Sequence, residues 1–171
     1  MLSSSRTAAF FWTFIAFMLQ NAAVWVFPER VPQLLLLNVI FYGFIEGASF
    51  GFILGLFAGI LMEIFGTGRL GLDIFLSGGL GFFSGLLSSK IFPESFFTKV
   101  FFPSAALFLF CLLHIAASLG GPGGQEISVS EWFGEAWKSA HPFLTAVLAP
   151  FFFEFLGKVS FVRKTRRVYW V

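Results

Sequence analysis

Long apolar segments alternate with short polar ones along the whole chain. A helix that crosses the hydrocarbon core of a membrane needs about 20 predominantly apolar residues. Six segments approach or reach that length, and the second is the shortest: residues 8–27, 32–46, 47–65, 70–92, 97–119 and 142–162. The pattern predicts an all-α integral membrane protein with six transmembrane helices, which form a single polytopic domain over residues 1–171.

The second and third segments are not separated by a hydrophilic loop. As one straight helix, residues 33–65 would run for about 50 Å at 1.5 Å per residue, which is too long for a bilayer. We therefore predict a break between Gly43 and Ser49, where Gly43 and Gly47 flank the charged Glu46.

Composition narrows the class of protein. Apolar residues make up 57% of the 171 residues and charged residues only 12%, whereas soluble domains carry about 25% charged residues. These proportions exclude a soluble enzyme and a disordered tail. The net charge of +2 is too small to indicate a nucleic-acid partner, and the 28 Phe residues suit contact with lipid.

The distribution of Lys and Arg bears on the orientation in the membrane, because these residues accumulate in cytoplasmic loops. With six spans and a cytoplasmic N-terminus, eight of the 11 Lys and Arg residues fall on the inner side. Five spans with the N-terminus outside give the same count, so charge leaves both arrangements open. Both place the basic C-terminus in the cytoplasm.

Small residues recur at every fourth position of the third and fourth segments. They are Gly47, Gly51, Gly55 and Gly59 in the third segment and Ser77, Gly81 and Gly85 in the fourth. Small residues at this spacing let helix backbones approach closely in a membrane. We predict that the two helices are antiparallel neighbours in close contact. The alternative interpretation is a hinge or a ligand-facing surface.

Three charged residues surround the turn between these two segments: Glu63, Arg69 and Asp73. A carboxylate is favoured at the start of a helix, as for Asp73, and disfavoured at the end of one, as for Glu63. Glu63 therefore needs a compensating partner, and Arg69 is the nearest candidate. We expect an interfacial ion pair that pins the hairpin; a contact site for a partner on the outer face is the alternative.

The remaining polar groups indicate no catalytic or metal site. Cys111 is the single cysteine, and His114 follows it by three residues without further ligands. Glu154 precedes Lys158 by four residues, which favours an ion pair on one helix face. A proton-coupled role for Glu154 would need a second carboxylate nearby. We expect no enzymatic activity, no cofactor and no metal.

A short amphipathic helix is predicted near residues 129–138, after a Gly-rich turn. Ser128 and Glu131 have the spacing of a capping box at its start. Trp132 and Trp137 fall on its apolar face and suit the headgroup level of a membrane. We expect the helix to lie on the outer membrane face, with the covering of a cavity or the docking of a partner as alternatives.

The sequence from Gly51 to Gly71, GFILGLFAGILMEIFGTGRLG, resembles the most recognisable region of the MreD family of rod shape-determining membrane proteins. That family shows a glycine-rich helix that ends in two apolar residues and Asp, then a short Gly/Ser turn and Leu-Gly. Glu63 stands here where Asp is usual. The likeness continues in Val31-Pro32 and in the VLAPFFF segment around Pro150.

The resemblance implies a six-helix protein of the bacterial inner membrane with both termini in the cytoplasm. MreD-like proteins have no known catalytic activity. They work with an MreC-like membrane protein, which links them to RodA, a class B penicillin-binding protein and MreB. The implied function is a scaffold for lateral peptidoglycan synthesis that maintains rod shape.

Two other functions stay open. The MreD fold is similar to the substrate-binding components of energy-coupling-factor vitamin transporters. Those components commonly carry an Ala-x-x-x-Ala pattern on the first helix, which is missing here because Trp12 follows Ala8 and Gln20 follows Ala16 at the interval of four. A membrane enzyme acting on lipid would have to use Glu63, Arg69 and Asp73, which ion pairing explains better.

Overall fold

The computed structural model describes residues 4–26, 33–65, 71–88, 96–119 and 142–159. Six helices account for nearly all of them, and these ranges contain no strand. The helices are α1 (Ser4–Val26), α2 (Leu34–Glu46), α3 (Ala48–Phe65), α4 (Leu72–Leu87), α5 (Phe96–Leu119) and α6 (Pro142–Val159). Each of them overlaps one apolar segment of the sequence, which confirms the predicted all-α class and the six helices within the described residues.

Two further expectations are not decided by these helices. Within the described ranges, no helix combines the length and the apolar character required to cross a membrane. The membrane part of the six-helix prediction therefore stays a prediction. The amphipathic helix predicted near 129–138 lies outside the described residues.

Helix α2 forms the centre of the bundle. It contacts α1, α3, α4 and α5, and every residue from Leu35 to Gly43 is buried. A helix that is apolar on all sides is typical of a buried position. The shortest apolar segment of the sequence is thus the one that the other helices enclose.

The chain reverses between α2 and α3 through one residue, Gly47. Its φ of 94° lies in the left-handed region, which glycine adopts without the steric cost that a side chain brings. The Gly47 N–H donates to the carbonyl oxygen of Gly43 at 3.0 Å, and the Gly51 N–H donates to that of Gly47 at 2.9 Å. The break predicted between Gly43 and Ser49 is therefore confirmed.

Gly47 does not have the packing role that its place in the small-residue series indicated. A Cβ at this position would meet nothing within 4 Å. The glycine is required by its backbone conformation, because the chain must turn here before the next helix begins. The packing series of α3 consequently starts at Gly51.

Helices α3 and α4 run antiparallel with their backbones in contact. A Cβ at Gly55 would lie 2.7 Å from the carbonyl carbon of Ser77 and 2.8 Å from the Cα of Gly78. One turn later, a Cβ at Gly59 would lie 2.7 Å from the carbonyl oxygen of Asp73. Real Cβ atoms do not come this close to backbone, so both positions need glycine.

A third backbone joins this contact, that of α2. A Cβ at Gly43 would lie 2.8 Å from the carbonyl oxygen of Gly81, and a Cβ at Gly51 would lie 2.9 Å from the Cα of Gly43 and still closer to the Gly81 carbonyl. We call Gly43, Gly51 and Gly81 the glycine junction. Gly43 belongs to it because the turn at Gly47 folds α2 back against α3.

The other helices attach to α2 through specific contacts. On the α1 side, the buried Asn38 amide donates to the Thr13 hydroxyl at 2.7 Å, and Thr13 in turn donates to the Ala9 carbonyl at 2.8 Å. On the other side, the rings of Phe41 and Phe153 lie 5.3 Å apart. Phe153 belongs to α6, which also contacts α5.

The first and last helices close the bundle. The ring of Trp12, in the first half of α1, lies 5.7 Å from that of Phe155, near the end of α6. Helix α1 therefore begins at the end of the bundle where α6 finishes.

Substituting Gly55 by Ala tests the contact of α3 with α4. We expect Gly55→Ala to destabilise the protein by about 1–3 kcal/mol, because backbone atoms of Ser77 and Gly78 occupy the space of the methyl group and cannot move like the end of a side chain. Thermal unfolding of the purified full chain measures the effect. Gly157→Ala is the matched control, since a Cβ there meets nothing within 4 Å; equal melting temperatures for the two variants would contradict the packing.

Candidate functional site

The end of the α3–α4 hairpin is organised by the carboxylate of Glu63. Its Oε1 accepts hydrogen bonds from the backbone N–H of Gly71 at 2.6 Å and from that of Ile74 at 3.4 Å. Gly71 precedes α4 in a left-handed conformation, with φ 95°. Because the first N–H groups of a helix lack partners within the helix, a carboxylate at this place is favoured by hydrogen bonding and by the helix dipole.

This cap changes the interpretation of Glu63. The sequence indicated Arg69 as the compensating partner, but Arg69 lies outside the described residues. Among the residues that the structure describes, Glu63 is compensated by the start of α4. The hairpin places the C-terminal end of α3, where a carboxylate is disfavoured, beside the N-terminal end of α4, where a carboxylate is favoured. Gly71 follows Glu63 by eight residues, and this spacing gave no sign that the start of α4 would be the partner of Glu63.

Asp73, in the first turn of α4, faces His114 of α5. The Asp73 Oδ1 and the His114 Nε2 lie 3.1 Å apart, with 11% and 34% of the two side chains exposed. The His114 ring also stacks on Phe110, with centroids 6.3 Å apart and an interplanar angle of 18°. Spacing along the chain gave no sign of this pair, because its partners belong to different helices. Its only signal was that both side chains are ionisable in otherwise apolar helices.

One turn before His114, Cys111 contacts Gln33, the residue that precedes α2. The amide nitrogen of Gln33 donates to the Cys111 Sγ at 3.4 Å, and the thiol is buried. Polar contacts thus connect the same end of α5 to both α2 and α4. In the described parts of the chain, no three His, Cys, Asp or Glu side chains form a group that could hold a metal ion.

A second ion pair lies at the opposite end of the bundle. Arg6 of α1 donates through Nε to Glu46, the last residue of α2, at 3.2 Å. The Arg6 guanidinium also lies 5.6 Å from the ring centre of Phe50. The pair connects the start of α1 to the turn between α2 and α3, and 40 residues separate its partners in the sequence. Sequence spacing therefore carried no signal for it.

The predicted pair on α6 is present. Lys158 Nζ lies 2.7 Å from Glu154 Oε1, and both side chains are mostly exposed. An exposed pair of this kind contributes little to stability, about 0.2–1 kcal/mol. Pro150, which the resemblance singled out, lies inside the same helix and is partly buried.

Helices α4 and α5 leave a groove between them, with a volume of about 420 Å³. Its walls are apolar except for Ser84, and Gly79, Ala105 and Ala106 leave room between the larger side chains. None of the predicted packing glycines lines this groove. The small-residue series of α3 and α4 therefore forms a helix contact and does not face this groove.

Ser77 adds a hydrogen bond to the contact of α3 with α4. Its buried hydroxyl donates to the Gly55 carbonyl oxygen at 2.8 Å and also contacts the Asp73 carbonyl of its own helix. Near the other end of the contact, a Cβ at Gly85 would overlap the backbone of Ala48. The predicted small residues from Gly51 to Gly85 are thus brought together along one interface.

These observations define a helical bundle that is organised by backbone contacts, helix caps and ion pairs between helices. The family model of the rod shape-determining protein MreD matches residues 4–159, which is nearly the whole chain. The chain belongs to the MreD family, as its sequence indicated. No curated protein and no solved structure matches it.

Replacing Glu63 tests the cap of α4. We expect Glu63→Ala to cost about 0.5–2 kcal/mol of stability, as for other lost helix caps, and Glu63→Gln to cost less because its side-chain oxygen still accepts the two N–H groups. Thermal unfolding compares the variants. Glu154→Ala serves as the control for an exposed carboxylate. Equal losses for Glu63→Ala and Glu63→Gln, or no loss for either, would show that the hydrogen bonds to Gly71 and Ile74 do not stabilise the hairpin.

Proposed function

We propose that this protein is a non-catalytic membrane scaffold of the machinery that determines rod shape. The observation that carries the proposal is its membership of the MreD family over residues 4–159. The finer parts of the proposal concern its place in the bacterial inner membrane, its partner and its role in peptidoglycan synthesis. Each part has its own support.

The outward surface of the bundle supports a membrane location. Large apolar side chains are exposed on every described helix except α2: examples are Phe11, Ile53, Phe75, Phe83, Phe101 and Phe151. Soluble monomers rarely expose apolar patches over so much of their surface. Lipid is the solvent that makes such a surface favourable.

The position of the charges gives a second line of support. Arg6 and Glu46 lie at one end of the bundle, whereas Glu63 and Asp73 lie at the other. From Gly47 to Glu63, α3 rises by about 24 Å at 1.5 Å per residue. Charged groups therefore bracket an apolar zone comparable with a hydrocarbon core of about 30 Å. Six spans with both termini in the cytoplasm agree with this arrangement.

We infer that the protein acts by holding a partner and not by chemistry. Its charged groups Glu63, Asp73 and Glu46 are engaged in a helix cap and in ion pairs between helices. The contacts at the glycine junction make α2, α3 and α4 a rigid unit, which suits a platform. The partner we propose is an MreC-like membrane protein, which would connect the platform to RodA, a class B penicillin-binding protein and MreB during lateral peptidoglycan synthesis.

A vitamin-binding role is less well supported. Small-molecule sites combine apolar walls with a few polar groups that orient the ligand. The groove between α4 and α5 offers Ser84 as its single polar lining residue. That lining suits an apolar occupant and not a water-soluble vitamin.

Two experiments test the proposed function: depletion of the protein from rod-shaped cells, and affinity purification of the full chain in detergent. We expect depletion to turn rod-shaped cells into spheres, and the affinity-purified protein to retain an MreC-like protein in detergent. The tagged parent chain and a Gly157→Leu control should restore rods. Gly55→Leu should fail, because its side chain would overlap the α4 backbone. Unchanged cell shape on depletion, or a purified protein that carries a vitamin and no MreC-like protein, would contradict the proposal.

A further inference from the structure

Helices α4 and α5 are joined by a polar contact at one end and separated by the groove along the rest of their length. The contact is that of Asp73 with His114. The groove begins beside it, between Phe75 and Leu113, and continues to the other end of α4 at Leu87. The Asp73–His114 pair therefore lies at the mouth of the groove.

The pair is also connected to the wall of the groove. Phe110 lines the groove and stacks on the His114 ring, with an interplanar angle of 18°. Any displacement of His114 away from Asp73 would move the ring against which Phe110 packs. Because both residues belong to α5, a movement of α5 that takes His114 away from Asp73 also moves this wall of the groove.

The attraction between Asp73 and His114 depends on charge. It is strongest while the imidazole is protonated and the carboxylate is ionised, and it weakens when either charge is lost. Three other described groups belong to the same end of the bundle: Glu63, which accepts hydrogen bonds at the start of α4, and the Cys111 thiol, which lies one turn before His114 and contacts the Gln33 amide. Glu63 is held by the α4 backbone, so it does not replace Asp73 as the partner of His114.

We propose that the Asp73–His114 pair is a proton-sensitive latch that sets the width of the groove between α4 and α5. With His114 protonated and Asp73 ionised, the latch is closed and α5 is held against α4. As the pH rises and His114 loses its proton, the charge attraction is lost and α5 moves outward. The groove then opens from the end where the pair lies.

Distance measurements between spin labels on the two walls test the latch. The labels replace Phe75 of α4 and Leu109 of α5, which are exposed at 76% and 56%, in a chain whose native cysteine is changed by Cys111→Ala. The purified full chain is measured at about pH 5 and about pH 9, so that the upper value lies above the titration of a histidine that contacts a carboxylate. We expect a narrow distribution of short distances at the lower pH and a broader, longer one at the higher pH.

Two substitutions of His114 distinguish the effect of its charge from the effect of its packing. His114→Gln should give the longer distances at both pH values, whereas His114→Lys should keep the shorter distances at both because its charge does not titrate in this range. Lys158→Gln is the control, since it removes an exposed ion pair within α6 and should leave the pH response intact.

The parent chain decides the outcome even where a variant does not fold. Identical distance distributions at the two pH values would overturn the proposal, and so would a pH response that persists in His114→Gln. The measurement uses the isolated protein without a partner or a cell. A negative result in this measurement would therefore not contradict the proposed scaffold function. A negative result in the test of the scaffold function would likewise not contradict the latch.

Discussion

Three helix backbones meet at Gly43, Gly51 and Gly81, and the rest of the structure depends on that contact. No side chain larger than hydrogen fits between α2, α3 and α4 at these positions. In the membrane location that we propose, apolar side chains gain little by leaving hydrocarbon, so close packing is one of the principal attractions between helices. The one-residue turn at Gly47 serves this contact, since it returns the chain directly from α2 to α3. The buried helix α2 and the capped α3–α4 hairpin follow from the same constraint.

Helix α5 is held differently. Polar groups and rings attach it: Asp73 contacts His114, Gln33 contacts Cys111, and Phe44 and Phe102 lie 4.8 Å apart. A groove separates α5 from α4 over much of their length. The molecule thus combines helices joined backbone to backbone, α2 to α4, with a helix that packs against them through side chains. The proposed scaffold function and the proposed latch thus depend on different parts of the same bundle.

Local periodicity predicted the parts of the structure that depend on neighbours in the sequence. The interval of four residues between Gly51, Gly55 and Gly59 indicated the contact of α3 with α4. The same interval between Glu154 and Lys158 indicated their ion pair. The same spacing misassigned Gly47, because a turn conformation and a packing position both select glycine. The partners of Glu63, Asp73 and Arg6 were missed since they arise when distant helix ends meet, and spacing along one helix does not encode which ends those are.

Hydrogen exchange of the purified full chain tests the glycine junction most directly, because helices that share a rigid contact open as one unit. The account predicts that the amides of α2, α3 and α4 exchange most slowly and with a common opening free energy, while those of α5 and α6 exchange faster. Faster exchange in α3 and α4 than in α5, or separate opening of α3 and α4, would contradict it.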